Sequence, residues 1–311
     1  MLFTMFFLDN YLKVEKMRKV YIILILALTL VGNIRLYSQD APLYNLYTVE
    51  PVMLNPAVVG TGNNPVVFVD YLNQWAGVHD SPEMFSGAFH SLITEKMGAG
   101  LNFTSYNSSV FSTFTVSLNY AYVLKLSETQ KIIPGVFFGI RQTSISTQGM
   151  TGDEMSDPAI VSSDYFGKVF FSTGFGLRYT SPHLTVDFAI PNLYTGDDNK
   201  LFRSIMAYAA YDFYTNDDKW KIQPSLLYRY REPETSVLDI GFMVEYQKAV
   251  WAQAAYRTNK DLNFMVGFNI KGIGIAYNYT VTNSGMESLS NGSHEVAIRY
   301  AIPYNIVKDK E

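Results

Sequence analysis

Residues 261–282 read DLNFMVGFNIKGIGIAYNYTVT. Leu262, Phe264, Val266, Phe268 and Ile270 alternate with Asn263, Met265, Gly267 and Asn269. After Lys271 and Gly272 the pattern resumes: Ile273, Ile275, Tyr277, Tyr279 and Val281 against Gly274, Ala276, Asn278 and Thr280. A period of two puts the two sets on opposite faces of an extended strand. Strands of soluble sandwiches usually stop at about five or six residues. Alternation sustained for nine, with an aliphatic and aromatic face opposed by Gly, Asn and Thr, has the length and chemistry of a strand that crosses an outer membrane at a tilt.

The same signal recurs outward from this pair. Leu238, Ile240, Phe242, Val244 and Tyr246 oppose Val237, Asp239, Gly241, Met243 and Glu245; Val296, Ile298, Tyr300 and Ile302 oppose Glu295, Ala297, Arg299 and Ala301. Phe114, Val116, Leu118, Tyr120 and Tyr122 oppose Thr115, Ser117, Asn119 and Ala121. Fourteen strands are predicted, near 64–72, 84–92, 97–106, 110–124, 131–144, 166–180, 183–190, 202–214, 219–231, 236–247, 250–258, 261–270, 272–282 and 293–303. Connections after even strands are short, and several after odd strands are long (73–83, 145–165, 191–201 and 283–292). That parity is the rule of an all-β, antiparallel up-and-down transmembrane barrel, with short periplasmic turns and longer external loops. Inward charges such as Lys221, Arg229, Asp239, Glu245 and Arg299 are read as lumenal ion-pair partners.

Composition agrees. The 311 residues include 23 Tyr, 21 Phe and 3 Trp, with only 17% charged residues, against about 25% in soluble domains. A barrel coat with interfacial rings accounts for that excess. The absence of Cys excludes disulfide scaffolds, thiolate metal sites and a lipidated cysteine. A net charge of −4 and a pI near 5.6 argue against nucleic acid as a partner.

Residues 1–38 read as a leader. Lys16, Arg18 and Lys19 precede the apolar run at 20–31, which is too short to span a bilayer as a helix, and a polar exit ends at Ser38. Met17 makes 1–16 an upstream start-site extension. The domain reading is therefore signal peptide 1–38, an N-terminal periplasmic or plug segment 39–63, and the outer-membrane barrel 64–311. For 39–63 the sequence leaves three placements open: filling the lumen, lining the periplasmic mouth, or a lead-in.

Three motifs carry a family resemblance. Tyr47 leads to Asn55-Pro56-Ala57 and Gly60; Gln74-Trp75-Ala76-Gly77 is followed by Pro82; and the tyrosine-rich strand from Gly274 leads to Gly292-Ser293-His294-Glu295. With Trp251, Tyr256 and Arg257, these resemble the PorP/SprF family of type IX secretion system membrane proteins. The resemblance implies a role in export or surface attachment of a secreted partner carrying a C-terminal sorting domain, of the gliding-adhesin type, and contact with the periplasmic ring components of that machinery. It singles out Asn55, Pro56, Gln74, Trp75, Gly77, Gly292, Ser293, His294 and Glu295 as motif or partner-contact residues. A FadL-like channel for hydrophobic solutes is the alternative; a soluble sandwich adhesin is a third class.

No enzymatic constellation, cofactor site or metal site is read from the chain. The four histidines lack ligand spacing to one another. Ser293 and His294 are strand neighbours that diverge to opposite faces, so they form no catalytic pair. Glu295 is expected to face the lumen and pair with Arg299. Trp75 is expected in the first long external loop, packed over the mouth or contacting a partner. Asn55-Pro56 is expected as a rigid turn or a docking element. The acidic loop 152–157 is read as solvated.

Overall fold

A computed structural model describes residues 44–59, 61–109, 111–145, 167–195, 201–215, 217–231, 235–282 and 289–303. The leader, the acidic loop 152–157, Gly60 and the charged tail lie outside these residues.

Fourteen antiparallel strands close on themselves. They are β1 (Val66–Asn73), β2 (Glu83–Thr94), β3 (Met97–Ser108), β4 (Phe111–Tyr122), β5 (Lys131–Ile145), β6 (Val169–Thr180) and β7 (Leu184–Thr195), then β8 (Leu201–Tyr211), β9 (Trp220–Arg231), β10 (Thr235–Tyr246), β11 (Val250–Arg257), β12 (Leu262–Ile270), β13 (Ile273–Val281) and β14 (Ser293–Ala301). Each pairs with the next, and β14 pairs with β1 from Val66↔Ala301 to Asn73↔His294. Closure removes every sheet edge, which is what a strand structure needs in lipid. Strands β11 to β14 and β1 are eight or nine residues long, whereas β2 to β10 run from 11 to 15. Two-residue extensions at Leu124–Lys125 and Phe213–Tyr214 lengthen the wall at the short-turn end.

The faces divide as their periodicity predicts. In β12, Phe264 and Val266 are about half exposed on the outside, while Asn263 and Met265 are buried within. Rings gather toward the strand ends: Trp220 with Tyr246, and His183 with Tyr211 and Tyr214, lie at the short-turn end. Tyr277, Tyr279 and His294 lie toward the long-loop end. These are the girdle positions of a membrane barrel.

Two strand boundaries differ from expectation. The seventh strand continues past Pro191, because register shifts between Ala189 and Tyr194 set the proline outside the regular ladder. The predicted strand 202–214 breaks at Asp212, whose N–H turns to the His183 carbonyl, and Phe213–Tyr214 then re-pairs with β9.

Candidate functional site

The lumen is occupied by the chain's own residues 44–59. Of the three placements the sequence left open, these residues fill the barrel. Tyr44, Leu46, Tyr47, Val52, Ala57, Val58 and Val59 are buried with Phe68, Leu72, Met84, Leu227, Met243 and Met265 of the inner wall. The segment's prolines explain its shape. Pro51 and Pro56 each open a 3-10 turn, Pro51–Met53 and Pro56–Val58, and the residue before each caps it. Glu50 accepts from the Val52 N–H, and Asn55 Oδ1 accepts from the Ala57 N–H at 2.9 Å. Proline fits the first position of such a turn because its missing N–H would have no partner there.

The first half of this plug, Tyr44 to Glu50, is held by ions. Arg229 donates to Asp239 at 2.6 Å and to the Tyr44 carbonyl at 2.8 Å. Arg257 donates to both Asp239 oxygens and to Asn45 Oδ1. Asp239 thus carries two buried guanidinium groups, each of which also grips the plug. Glu295 accepts from the backbone N–H groups of Asn45 and Leu46 at 3.1 to 3.3 Å. Glu50 closes this half, with Arg299 Nε at 3.0 Å and His90 Nε2 at 3.3 Å. Burial pushes the Glu50 carboxyl up, but His90 and Arg299 outweigh it and hold it below its ordinary value.

The expected Glu295–Arg299 pair is therefore corrected. Glu295 does face the lumen, yet its carboxylate is taken by two plug N–H groups, which leaves Arg299 to the plug's own Glu50. Lys221–Glu245 and Asp239 with Arg229 are ion pairs, as read from their shared inward face.

The second half, Asn55 to Val59, is held by shape. Pro56–Val58 packs on β4, β5 and β6. Gly135 of β5 and Gly176 of β6 are register partners, and they make the seat. A Cβ on Gly135 would stand 2.5 Å from the Ala57 nitrogen, and one on Gly176 would overlap Asn55 Oδ1. Asn55, Pro56 and Ala57 are all buried, with Asn55 Nδ2 directed at the Leu177 carbonyl.

The other motif residues meet at the closing seam of the barrel. Trp75, at φ 56°, donates its N–H to Ser293 Oγ at 3.1 Å. The Ala76 N–H donates to the Gly292 carbonyl, and the Asn291 N–H returns a bond to Ala76. Gly77 and Gly292 both take positive φ, and a side chain on either would strike Asn291 or Tyr279. Gln74 donates its N–H to the Pro82 carbonyl, closing the β1–β2 loop. Two motifs more than two hundred residues apart thus stitch the loop β1–β2 to the loop β13–β14. Trp75 is half-buried in that stitch. Ser293 points inward, while His294 points out to the Tyr277 hydroxyl at 2.6 Å, so the two diverge as expected. The motif residues form two groups: Asn55 and Pro56 of the plug on the glycine seat, and the rest at the seam, where Glu295 also holds the start of the plug.

Sequence reasoning missed Glu50, Asn45, His90, Gly135 and Gly176. Glu50 carried a signal, an acid directly before proline in an otherwise uncharged run. The two glycines carried one as well, since both fall on inward positions of their strands.

The plug separates two cavities. One of about 350 Å³ lies on its long-loop side and includes Asn102, Asn119, Arg141, Arg229 and Arg231 in its wall. One of about 420 Å³ lies toward the short turns, with Glu50, His90, Arg178, Lys221, Glu245 and Arg299 in its wall.

A closed barrel of fourteen strands with an apolar, ring-bordered coat and a polar lumen is an integral outer-membrane protein. The family described as type IX secretion system membrane protein PorP/SprF matches residues 36–300, and the chain belongs to that family. Among solved structures, similar folds include the TodX monoaromatic hydrocarbon channel in a deltaS2 mutant, at 8% identity and TM-score 0.49, covering 82% of this chain and 94% of that one. The Acinetobacter baumannii outer membrane protein Omp33 is similar at 7% identity and TM-score 0.46, over 78% of this chain and 100% of that one. The Ralstonia pickettii toluene transporter TbuX is similar at 12% and 0.46, over 80% and 92%. No curated protein matches the chain by sequence.

Proposed function

We propose that this barrel works in export or surface attachment of a secreted partner, of the gliding-adhesin type with a C-terminal sorting domain, and docks on the periplasmic ring of the type IX machinery through its short turns. One observation carries the reading. Residues 44–59 occupy the lumen through specific side-chain bonds to β9, β11 and β14 and a fitted seat on β5 and β6. The plug closes the direct axial path at that level, which a protein-handling component does not need. The lower cavity, walled by mixed ion pairs, does not suit a hydrophobic solute; the upper one combines an apolar wall with three arginines. In this reading residues 1–38 are the cleaved leader, and the seam of Trp75 with Gly292 and Ser293 faces outward, beside the secreted partner.

The test is a detergent pull-down from cell envelopes followed by mass spectrometry. Recovery of ring components or of one large secreted protein is the expected result. Robust solute flux through the reconstituted barrel, with neither partner recovered, overturns the proposal.

A further inference from the structure

The two cavities differ in charge. The lower one mixes Glu50 and Glu245 with His90, Arg178, Lys221 and Arg299. Among the described residues lining the upper one are three arginines, Arg141, Arg229 and Arg231, and no Asp or Glu. Its open side is fixed by topology. Thr113 near the start of β4 and Arg231 at the end of β9 belong to the long-loop rim, while Asn119 lies deeper. The floor is the plug itself, Val52 to Leu54, beside Met84 and Met206.

Polar groups in this wall lack partners. The Asn102 amide donates to the Val52 carbonyl, which leaves its Oδ1 unbonded. Asn119 Nδ2, Ser86 Oγ and Arg229 Nε also have no hydrogen-bond partner, although all four side chains are more than nine-tenths buried. Buried polar atoms are normally satisfied, by protein or by water, so those that border this cavity are groups a guest seated there can satisfy. An acceptor, an amide donor, a hydroxyl and a guanidinium N–H together complement the C=O and N–H of a peptide group and a carboxylate. The methionines of the floor suit an aliphatic side chain of variable shape.

We propose that the upper cavity seats a short extended peptide segment, with an aliphatic side chain on the plug and a carboxylate toward Arg229 and Arg231. The inference rests on the secretion reading above and specifies the chemistry the partner presents. At about 350 Å³ the cavity is at the small end of ligand pockets, which run about 300–1,000 Å³, so only a few residues enter. The carboxylate has two sources, a chain terminus or an Asp or Glu side chain.

The experiment uses the full barrel, purified in detergent and checked for folding by its heat-shifted mobility in SDS gels. It is incubated with a pool of random heptapeptides carrying free C-termini, and captured peptides are identified by mass spectrometry. Peptides with both a carboxylate-bearing end or side chain and Leu, Ile, Val or Met are expected at five-fold or greater enrichment over a Ser117→Trp barrel, whose cavity is filled. Should Ser117→Trp fail the mobility check, Thr115→Phe replaces it. Arg231→Glu at the exposed rim is expected to cut that enrichment at least three-fold. A parallel pool with amidated C-termini separates the sources: lost capture assigns the terminal carboxylate, and retained capture assigns the side chain. Capture equal to that of the filled barrel, capture dominated by basic peptides, or capture unchanged by Arg231→Glu overturns the proposal. So does selective capture of neutral oligosaccharides offered in place of peptides. Selective peptide capture with no secretion partner in the envelope pull-down would remove the secretion reading and leave the pocket standing; the reverse result would remove the pocket alone.

Discussion

The two halves of the plug are fastened by opposite means. Tyr44 to Glu50 is anchored by charge, through Asp239 with two arginines, Glu295 on two backbone N–H groups, and Glu50 between His90 and Arg299. Asn55 to Val59 is anchored by fit, with its capped turn pressed on two glycines. The anchors also fall on different walls. Charge sits on β9 to β11 and β14, with His90 of β2 opposite, and two of these strands, β11 and β14, are among the five shortest. Fit sits on β5 and β6, where Gly135 and Gly176 leave a seat free of side chains. An ionic anchor is directional and responds to protonation, whereas a steric one is indifferent to both pH and salt. A lumen that uses both can loosen one end of its plug while the other stays seated.

The comparison breaks most severely at Asp239. Asp239→Ala leaves Arg229 and Arg257 buried with their charge uncompensated, at a cost of about 3–5 kcal/mol. The expected outcome is a lower denaturant midpoint in detergent and increased ion conductance of single barrels in planar bilayers. Replacing Asp239 and both arginines together with Met removes the orphaned charge, and is expected to recover most of the stability without recovering the grip on Tyr44 and Asn45. A midpoint unchanged by Asp239→Ala would mean that the ionic anchor carries no weight.

Next in size is the steric anchor. Gly176→Val puts branched carbon where Asn55 Oδ1 stands, and overpacking of this kind costs about 1–3 kcal/mol. The same conductance assay is expected to show brief openings, and these should not depend on pH, since no titrating group takes part. Glu295→Gln is milder. The amide oxygen still accepts from Asn45 and Leu46; charge assistance is lost, at about 1 kcal/mol, while the amide NH2 gains the buried Asp70 carboxyl beside it as an acceptor. Its stability loss is expected to be well under half that of Asp239→Ala in matched denaturant titrations.

How much of this was legible in the sequence follows the same division. The alternation at 262–270 and 273–281 dictates strand, face and membrane, because a period of two has one structural meaning over nine residues. Loop parity dictated closure and strand number. The lumenal face of Asp239 and Arg229 followed from the same period. The fate of 39–63 did not, because a proline-broken stretch with no periodicity contains no record of what it touches. Asn55-Pro56 was legible as a rigid turn, but its seat lies about eighty and one hundred and twenty residues away, at glycines whose meaning depends on what approaches them. The Glu295 partner failed for a related reason. Same-face neighbours predict a pair only while nothing else enters the lumen, and here two backbone N–H groups do. Gln74 to Gly77 and Gly292 to Ser293 were visible as motifs, yet their bond across the seam appears only once β14 closes on β1.

The smallest expected effect sharpens the contrast between the halves. Glu50 belongs to the plug, and its carboxyl is held below its ordinary 4.5 despite burial, because His90 and Arg299 favour its charged form. A depressed carboxyl contributes stability that is present above its unfolded value and is lost as pH falls through the folded one. Acidification below about pH 4.5 should therefore loosen the Glu50 end of the first half while leaving the glycine seat intact. The groups facing Glu50 set the sign. Protonating Glu50 removes the carboxylate charge that both the Arg299 guanidinium and the His90 ring face. Native-state hydrogen exchange resolves the two halves in one experiment. Amides of Val49 and Glu50 should exchange faster on acidification, after correction for the intrinsic rate, while Ala57 and Val58 should not change relative to each other or to the barrel strands. In Glu50→Gln the acid-dependent difference should vanish. Loss of protection in both halves together would show that they are a single unit, and the division into an ionic and a steric anchor would fail.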